Sequence, residues 1–170
     1  MINFLIVLVI AIVLVLLLVA RSLRRPPDFI IGKPGSPYMN RWYVIPRNRF
    51  FNIYLHQILR SDDDRALHDH PWFNVSILLR GSYREVMPLG APWETGESSM
   101  VWRHRGSVVF RRPSASHRLE VDAGTCVWSL FITGPKVREW GFWCPQGWKV
   151  WTKFVDMTNT GAVGPGCGEG

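Results

Sequence analysis

Hydrophobic residues are unevenly distributed along this chain, and the longest apolar stretch lies at its N-terminus. Residues 3–20 contain no charged side chain, and Arg21, Arg24 and Arg25 follow directly. About 20 apolar residues are needed for a helix to span a bilayer. The pattern therefore predicts a single transmembrane anchor over residues 1–21.

Two other interpretations of the apolar run are weaker. A cleaved signal peptide normally has a basic residue before the apolar run and a small-residue cleavage site after it, and neither is present. A buried core helix of a small domain would need a polar face. Because basic residues favour the cytoplasmic side, we expect a single-pass membrane protein with its globular part in the cytosol.

Beyond the anchor, the pattern changes to short apolar runs separated by glycine and proline turns. Four prolines in residues 22–37 predict an extended stalk, residues 38–156 predict a β-rich globular domain, and the Gly-rich residues 157–170 predict a disordered tail. The runs that we interpret as strands are 41–45, 51–60, 73–80, 83–87, 101–103, 107–112, 119–121, 125–133, 137–144 and 148–154. Many short strands without an amphipathic helix indicate an all-β sandwich or closed barrel.

The charge of the chain indicates which partners it can bind, and its cysteines indicate the redox compartment. The net charge is +7, but three of the positive charges belong to the anchor flank. No basic run is interleaved with aromatic residues, so we expect no nucleic-acid binding. Cys126, Cys144 and Cys167 are widely spaced and odd in number. They predict free thiols in a reducing cytosol rather than a disulfide framework.

Three of the five histidines form the most informative pattern. His68 and His70 are two residues apart, which places both side chains on one side of an extended strand. His117 follows a later strand and Pro113. Three converging imidazoles predict a metal site with open coordination positions, suited to Fe(II), Zn, Mn or Ni. The alternative is that carboxylates and backbone groups satisfy these histidines.

The segments that carry these histidines resemble the two motifs of the cupin superfamily. LHDHPWFNVSILLRG is similar to the first motif, with Asn74 at the position of its usual glutamate, and GSVVFRRPSASH is similar to the second. The resemblance implies a jelly-roll barrel and a three-histidine site like that of the thiol dioxygenase branch. LHDHPW, RRP…HRLE and FITGP…REWGFWCP also resemble a group of uncharacterised bacterial and phage cupin-like proteins.

Three residues near the histidines are candidates for catalysis. Glu85 is a candidate fourth ligand or base, and Tyr83 a candidate proton donor. Arg112 shares a strand face with Val108 and Phe110, and an arginine directed into the barrel would bind a substrate carboxylate. Ion pairing with nearby charged side chains is the alternative for Glu85 and Arg112.

Three functions agree with this sequence. The first is a membrane-anchored, Fe(II)-dependent oxygenase-like enzyme that acts on a small polar substrate. The second is a non-catalytic module that senses a ligand or a metal, and the third is a sugar isomerase or epimerase. Cupins often pair their edge strands, so the resemblance also allows a homodimer, but nothing in the sequence specifies the edge.

Overall fold

A computed structural model describes residues 2–62, 66–90, 98–158 and 163–168. The apolar run forms helix α1, Ile2–Ser22. Residues Asn3–Ser22 are long and apolar enough to cross a membrane, although a signal sequence or a core helix would meet the same criterion. Nearly all other regular structure in the described residues is β-strand, which agrees with the all-β prediction.

The strands form three antiparallel sheets. The largest has the order β1-β2-β3-β10-β5-β8, and the smaller ones have the orders β12-β11-β4 and β7-β6-β9. The strands are β1 (Phe29–Lys33), β2 (Ser36–Tyr43), β3 (Asn52–Ile58), β4 (Leu67–His68), β5 (Asn74–Arg80), β6 (Ser82–Pro88), β7 (Ser98–His104), β8 (Val108–Arg111), β9 (Arg118–Glu120), β10 (Val127–Thr133), β11 (Gly141–Cys144) and β12 (Gly147–Val150).

The six-stranded sheet separates a cavity from an apolar outer surface. In β3 and β10, Leu55 is paired with Leu130, and the next residues, His56 and Ser129, are paired on the opposite face. His56 and Ser129 line the cavity. Leu55 and Leu130 belong to a buried outer cluster, against which residues of α1 pack. Successive residues of a strand point to opposite faces, so this register fixes which side chains reach the cavity.

The predicted stalk is largely folded. Residues 29–33 form β1, which pairs with β2 from Phe29↔Arg41 to Lys33↔Ser36. Gly35, whose φ is 79°, lies in the turn between the two strands. The indole Nε1 of Trp42 also donates a hydrogen bond of 3.0 Å to the backbone carbonyl of Arg25. No extended spacer therefore separates α1 from the β domain.

The C-terminal region differs from the prediction in two ways. Trp151–Phe154 forms a short helix, α2, instead of continuing a strand. Cys144 and Cys167 form a disulfide, so the prediction that all three cysteines are free was wrong, and only Cys126 is a free thiol. The disulfide and a bridge between Val155 and Val163 hold residues 163–168 against the domain. The rest of the predicted disordered tail, residues 159–162 and 169–170, lies outside the described residues.

Candidate metal centre

Backbone pairing brings the two histidine segments together. His68 ends β4, and His117 immediately precedes β9. Each of these residues donates its backbone N–H to the carbonyl oxygen of the other, at 2.9 Å in both directions. The backbone N–H of His70 donates to the carbonyl of Pro113, at 3.2 Å. The three histidines are therefore positioned by hydrogen-bonded backbone rather than by loose loops.

The three imidazoles converge on one point. One ring nitrogen from each of His68, His70 and His117 lies within 4.8 Å of the other two. The Nε2 atoms of His70 and His117 are 3.0 Å apart. A metal about 2.1 Å from each nitrogen requires nitrogen spacings of roughly 3.0–3.4 Å for octahedral or tetrahedral angles. The spacing of His70 and His117 fits a divalent metal ion, and His68 supplies a third imidazole nitrogen within 4.8 Å of both.

Asp69 holds the segment between the two neighbouring histidines. Its side chain is fully buried on the side away from them. Its carboxylate accepts hydrogen bonds from the backbone N–H of Gly141 at 2.8 Å, from Trp148 Nε1 at 3.0 Å and from Arg138 Nη1 at 2.6 Å. Alternation along the extended backbone thus directs His68 and His70 to the cavity. Asp69 points to the opposite side, where its hydrogen bonds hold the segment in place.

Glu85 fixes the orientation of His117. The fully buried carboxylate accepts hydrogen bonds from His117 Nδ1 at 2.8 Å, Arg111 Nε at 2.7 Å and Arg103 Nε at 2.7 Å. Burial by itself would raise the pKa of Glu85, but the hydrogen bond from His117 and the charge of Arg111 outweigh burial and hold it well below its usual range. A proton held on Nδ1 leaves the lone pair of His117 on Nε2, which faces the other histidines.

Two imidazoles of the cluster, those of His70 and His117, are neutral at physiological pH. Burial, together with the charge of Arg111, lowers the pKa of His117 to about 4. Burial also holds the pKa of His70 well below its usual value, with a contribution from the neighbouring histidines. Neutral imidazole is the form that binds metals. Asp62 lies 3.7 Å from His68 Nδ1, so a carboxylate also lies near the third ring.

A cavity of about 620 Å³ adjoins the histidine cluster. Its wall includes Phe131, whose ring stacks on His56 and also contacts His70, with centroid distances of 5.1 and 5.8 Å. Arg41 lines the same cavity and donates from Nε to His56 Nε2 at 2.9 Å. Among the described residues, no carboxylate lies within ion-pair distance of Arg41. The cavity therefore contains a cation without a described anionic partner.

Of the other predicted site residues, Tyr83 lines the same cavity as the histidines, whereas Arg112 does not. Tyr83 is buried, with its hydroxyl 3.4 Å from Arg111 Nη2. Arg112 is exposed and lies outside the site, contrary to the prediction that it points into the barrel. Val109 and Arg111 are the buried residues of β8, whereas Val108 and Phe110 are exposed. The prediction chose the wrong face of this strand.

Arg111 and Arg41 are functional candidates that the sequence reasoning missed. Alternation along β8 gives Arg111 as one of two options, but the sequence does not show which face of the strand lies inward. Arg41 belongs to an alternating run, and its approach to His56 depends on the pairing of β2 with β3. His104, which lies next to a turn, is exposed.

Comparison with solved structures identifies similar folds at low sequence identity. The Fe(II) form of HppE matches with a TM-score of 0.51 and 13% identity over 65% of this chain and 57% of that protein. DMSP lyase DddQ from Ruegeria pomeroyi DSS-3 matches with a TM-score of 0.50 and 13% identity over 71% of this chain and 59% of that protein. This chain thus spans less than two thirds of the length of either protein.

A cupin superfamily protein from Desulfitobacterium hafniense DCB-2 matches with a TM-score of 0.44 and 9% identity, over 58% of this chain and 78% of that one. No protein-family model matches the chain, and no curated protein matches its sequence. At these identities, the structural likeness is evidence for the fold alone.

Proposed function

This protein has a cupin-like β fold, and we propose that it is a membrane-anchored metalloenzyme that acts on a small polar substrate. His68, His70 and His117 would hold one divalent metal ion, Fe(II) in preference to Zn, Mn or Ni. The observation that carries this proposal is the convergence of their ring nitrogens within 4.8 Å beside a cavity of about 620 Å³. Imidazole ligands with open coordination positions suit Fe(II) chemistry, and HppE, a structural neighbour, is described in its Fe(II) form.

The protein residues would prepare the site for the metal and the substrate. A bound Fe(II) would supply Lewis acidity and open positions for small ligands, as in mononuclear oxygenases. Glu85 keeps the Nδ1 proton of His117 in place, and Arg111 neutralises the buried carboxylate. Phe131 and Phe142 line the cavity with apolar surface, which reduces the access of water to the metal.

Arg41 supports a more specific statement about the substrate. A guanidinium in a cavity loses hydration, and burial lowers the pKa of Arg41. The neighbouring His56 is neutral, because burial and the charge of Arg41 hold its pKa well below the usual value. A carboxylate or another anionic group on the substrate would pair with the Arg41 guanidinium. We therefore propose a small anionic substrate whose other end reaches the metal.

Metal stoichiometry tests the proposed site. The full-length chain, purified in nonionic detergent and reconstituted with Fe(II) under argon, should bind close to one metal ion per chain. His70→Ala should lose most of this metal, whereas His104→Ala, which removes an exposed histidine, should retain it. Wild-type protein without bound metal, or equal binding by His70→Ala, would contradict the proposal. Oxygen consumption with a panel of small carboxylates then separates an enzyme from a binding module, which would show ligand-induced stabilisation without turnover.

The membrane orientation is part of the same proposal. The arginines after α1 favour a cytoplasmic β domain. The Cys144–Cys167 disulfide is instead typical of an oxidising compartment, and it removes the free-thiol argument for the cytosol. A reporter fused to the C-terminus decides between the two sides, and a periplasmic or extracellular signal would reverse the orientation that the arginines predict.

A further inference from the structure

The outer face of the six-stranded sheet is apolar and only partly covered. Trp42, Val44, Leu55 and Leu130 form its buried centre. The side chains that cover this cluster include Val15, Leu18 and Val19 of α1. The helix thus packs along the sheet with its C-terminal third, and among the described residues it leaves apolar side chains at the β8 edge of this face exposed.

The uncovered part lies at the β8 edge of the sheet. Phe73, Leu79, Val108 and Phe110, which we call the β8 patch, have exposed fractions of 45%, 40%, 66% and 62%. The rings of Phe73 and Phe110 stack with a centroid distance of 6.1 Å, so these two side chains form one continuous apolar surface. Contiguous apolar surface of this kind marks a protein or membrane contact.

Basic side chains border the β8 patch. Arg112 lies directly after the end of β8, two positions after Phe110. Arg80 is paired with the outward-facing Trp128. Both arginines are exposed. An apolar surface bordered by arginine suits the boundary between acyl chains and anionic headgroups.

The length of α1 limits how far the outer face of the six-stranded sheet can lie from a bilayer that α1 crosses. The 20 residues Asn3–Ser22 extend about 30 Å, which just matches the hydrocarbon thickness. If Val15 and the residues after it lay outside the hydrocarbon, residues 3–14 would span only about 18 Å, too little to cross. Because the sheet packs on Val15, Leu18 and Val19, its outer face lies at the depth of lipid.

We propose that the β8 patch, at the edge of the outer face of the six-stranded sheet, contacts the interface of the bilayer that α1 crosses. Arg112 and Arg80 then lie at the level of the lipid phosphates. This inference rests on the membrane anchoring proposed above and is independent of the metal. The β domain is thereby held against the membrane rather than suspended on a flexible stalk.

Depth-dependent fluorescence quenching tests the contact. The full-length chain carries Cys126→Ser, so that an environment-sensitive fluorophore labels only an introduced cysteine while the disulfide stays oxidised. The label is placed at Phe110→Cys, and the matched control is Met100→Cys, a 56% exposed residue of β7 in another sheet. Both proteins are reconstituted into phosphatidylcholine–phosphatidylglycerol vesicles, with and without brominated lipid.

We expect a blue-shifted emission at position 110 and quenching by brominated lipid at least about twofold stronger than at position 100. Equal quenching at the two positions in protein that floats with the vesicles overturns the proposal and leaves the anchor intact. A blue shift that disappears when the protein is diluted in lipid indicates a second copy on the patch and also overturns it. If the protein does not float with the vesicles, both the membrane anchor and the lipid contact are overturned. The metal stoichiometry of the same sample tests the metal site separately.

Discussion

Glu85→Gln is the most informative single substitution, because the Glu85 carboxylate serves both the fold and the metal site. The change keeps the size of the side chain and removes its charge. The glutamine oxygen still accepts a hydrogen bond from His117. The glutamine NH₂ group replaces the oxygen that accepts from Arg103, and two donors then face each other. Arg111, which is 6% exposed, then loses the carboxylate that neutralises it.

The expected magnitudes follow from burial. Breaking a buried ion pair by removing one partner costs about 3–5 kcal/mol, because the remaining charge is left uncompensated. The pair with Arg103, whose side chain is 24% exposed, contributes less. Loss of the group that orients a ligating histidine lowers metal affinity by about 10- to 100-fold. Glu85→Gln should therefore be less stable and also bind metal more weakly.

Two assays separate these effects. Urea unfolding followed by tryptophan fluorescence reports on the β domain alone, because all nine tryptophans lie between Trp42 and Trp151. Titration of folded protein with Fe(II) under argon gives the affinity. The matched control is Glu120→Gln, whose carboxylate is 21% exposed and pairs with Arg84 and Arg118. It should cost no more than about 1 kcal/mol. If Glu85→Gln behaves like Glu120→Gln in both assays, our account of this carboxylate is refuted.

Three further predictions concern other parts of the molecule. Non-reducing peptide mapping of cell-derived protein should find Cys144 linked to Cys167, and a fully reduced pair would contradict the link. Cys167→Ser should lower the free energy of unfolding in urea by about 3 kcal/mol, the value expected from the entropy of closing this loop. Arg41→Gln should weaken the binding of acetate to metal-loaded protein at least about tenfold without loss of metal, whereas equal affinity would exclude the anion role. The urea midpoint of metal-free protein should fall as the pH decreases from about 6.5 to 4. In this range His117 gains a proton in the unfolded chain but stays neutral in the folded protein, where its pKa is about 4, so protons favour the unfolded state. A midpoint that does not change with pH would contradict this.

The local pattern of the sequence was sufficient to predict the histidine cluster. The two-residue spacing of His68 and His70 puts both rings on one side, and His117 follows a later strand and Pro113. The strand-rich fold also follows from the short apolar runs between glycine and proline turns. The structure agrees with these local predictions because they depend on little beyond strand geometry.

The sequence could not show which face of each strand lies inward. In β8, both Val109 and the outward-facing Val108 and Phe110 are apolar, because the outer face of the sheet is apolar as well. Because both faces of the strand are apolar, the alternation of residues does not show which face lies inward. The sequence therefore led to Arg112 instead of Arg111 as the inward-pointing arginine. The disulfide was missed for a related reason: residues 144 and 167 meet only because the C-terminal segment folds back onto α2.

Anomalous diffraction locates a bound metal ion and identifies its ligands in one experiment. Crystals of the full-length chain grown with Fe(II) under argon are measured on both sides of the iron absorption edge. The account predicts one anomalous peak about 2.1 Å from a ring nitrogen of His68, His70 and His117, and no peak in crystals of His117→Ala. Ordered histidines without a peak between them, or a peak coordinated by other residues, would contradict the account.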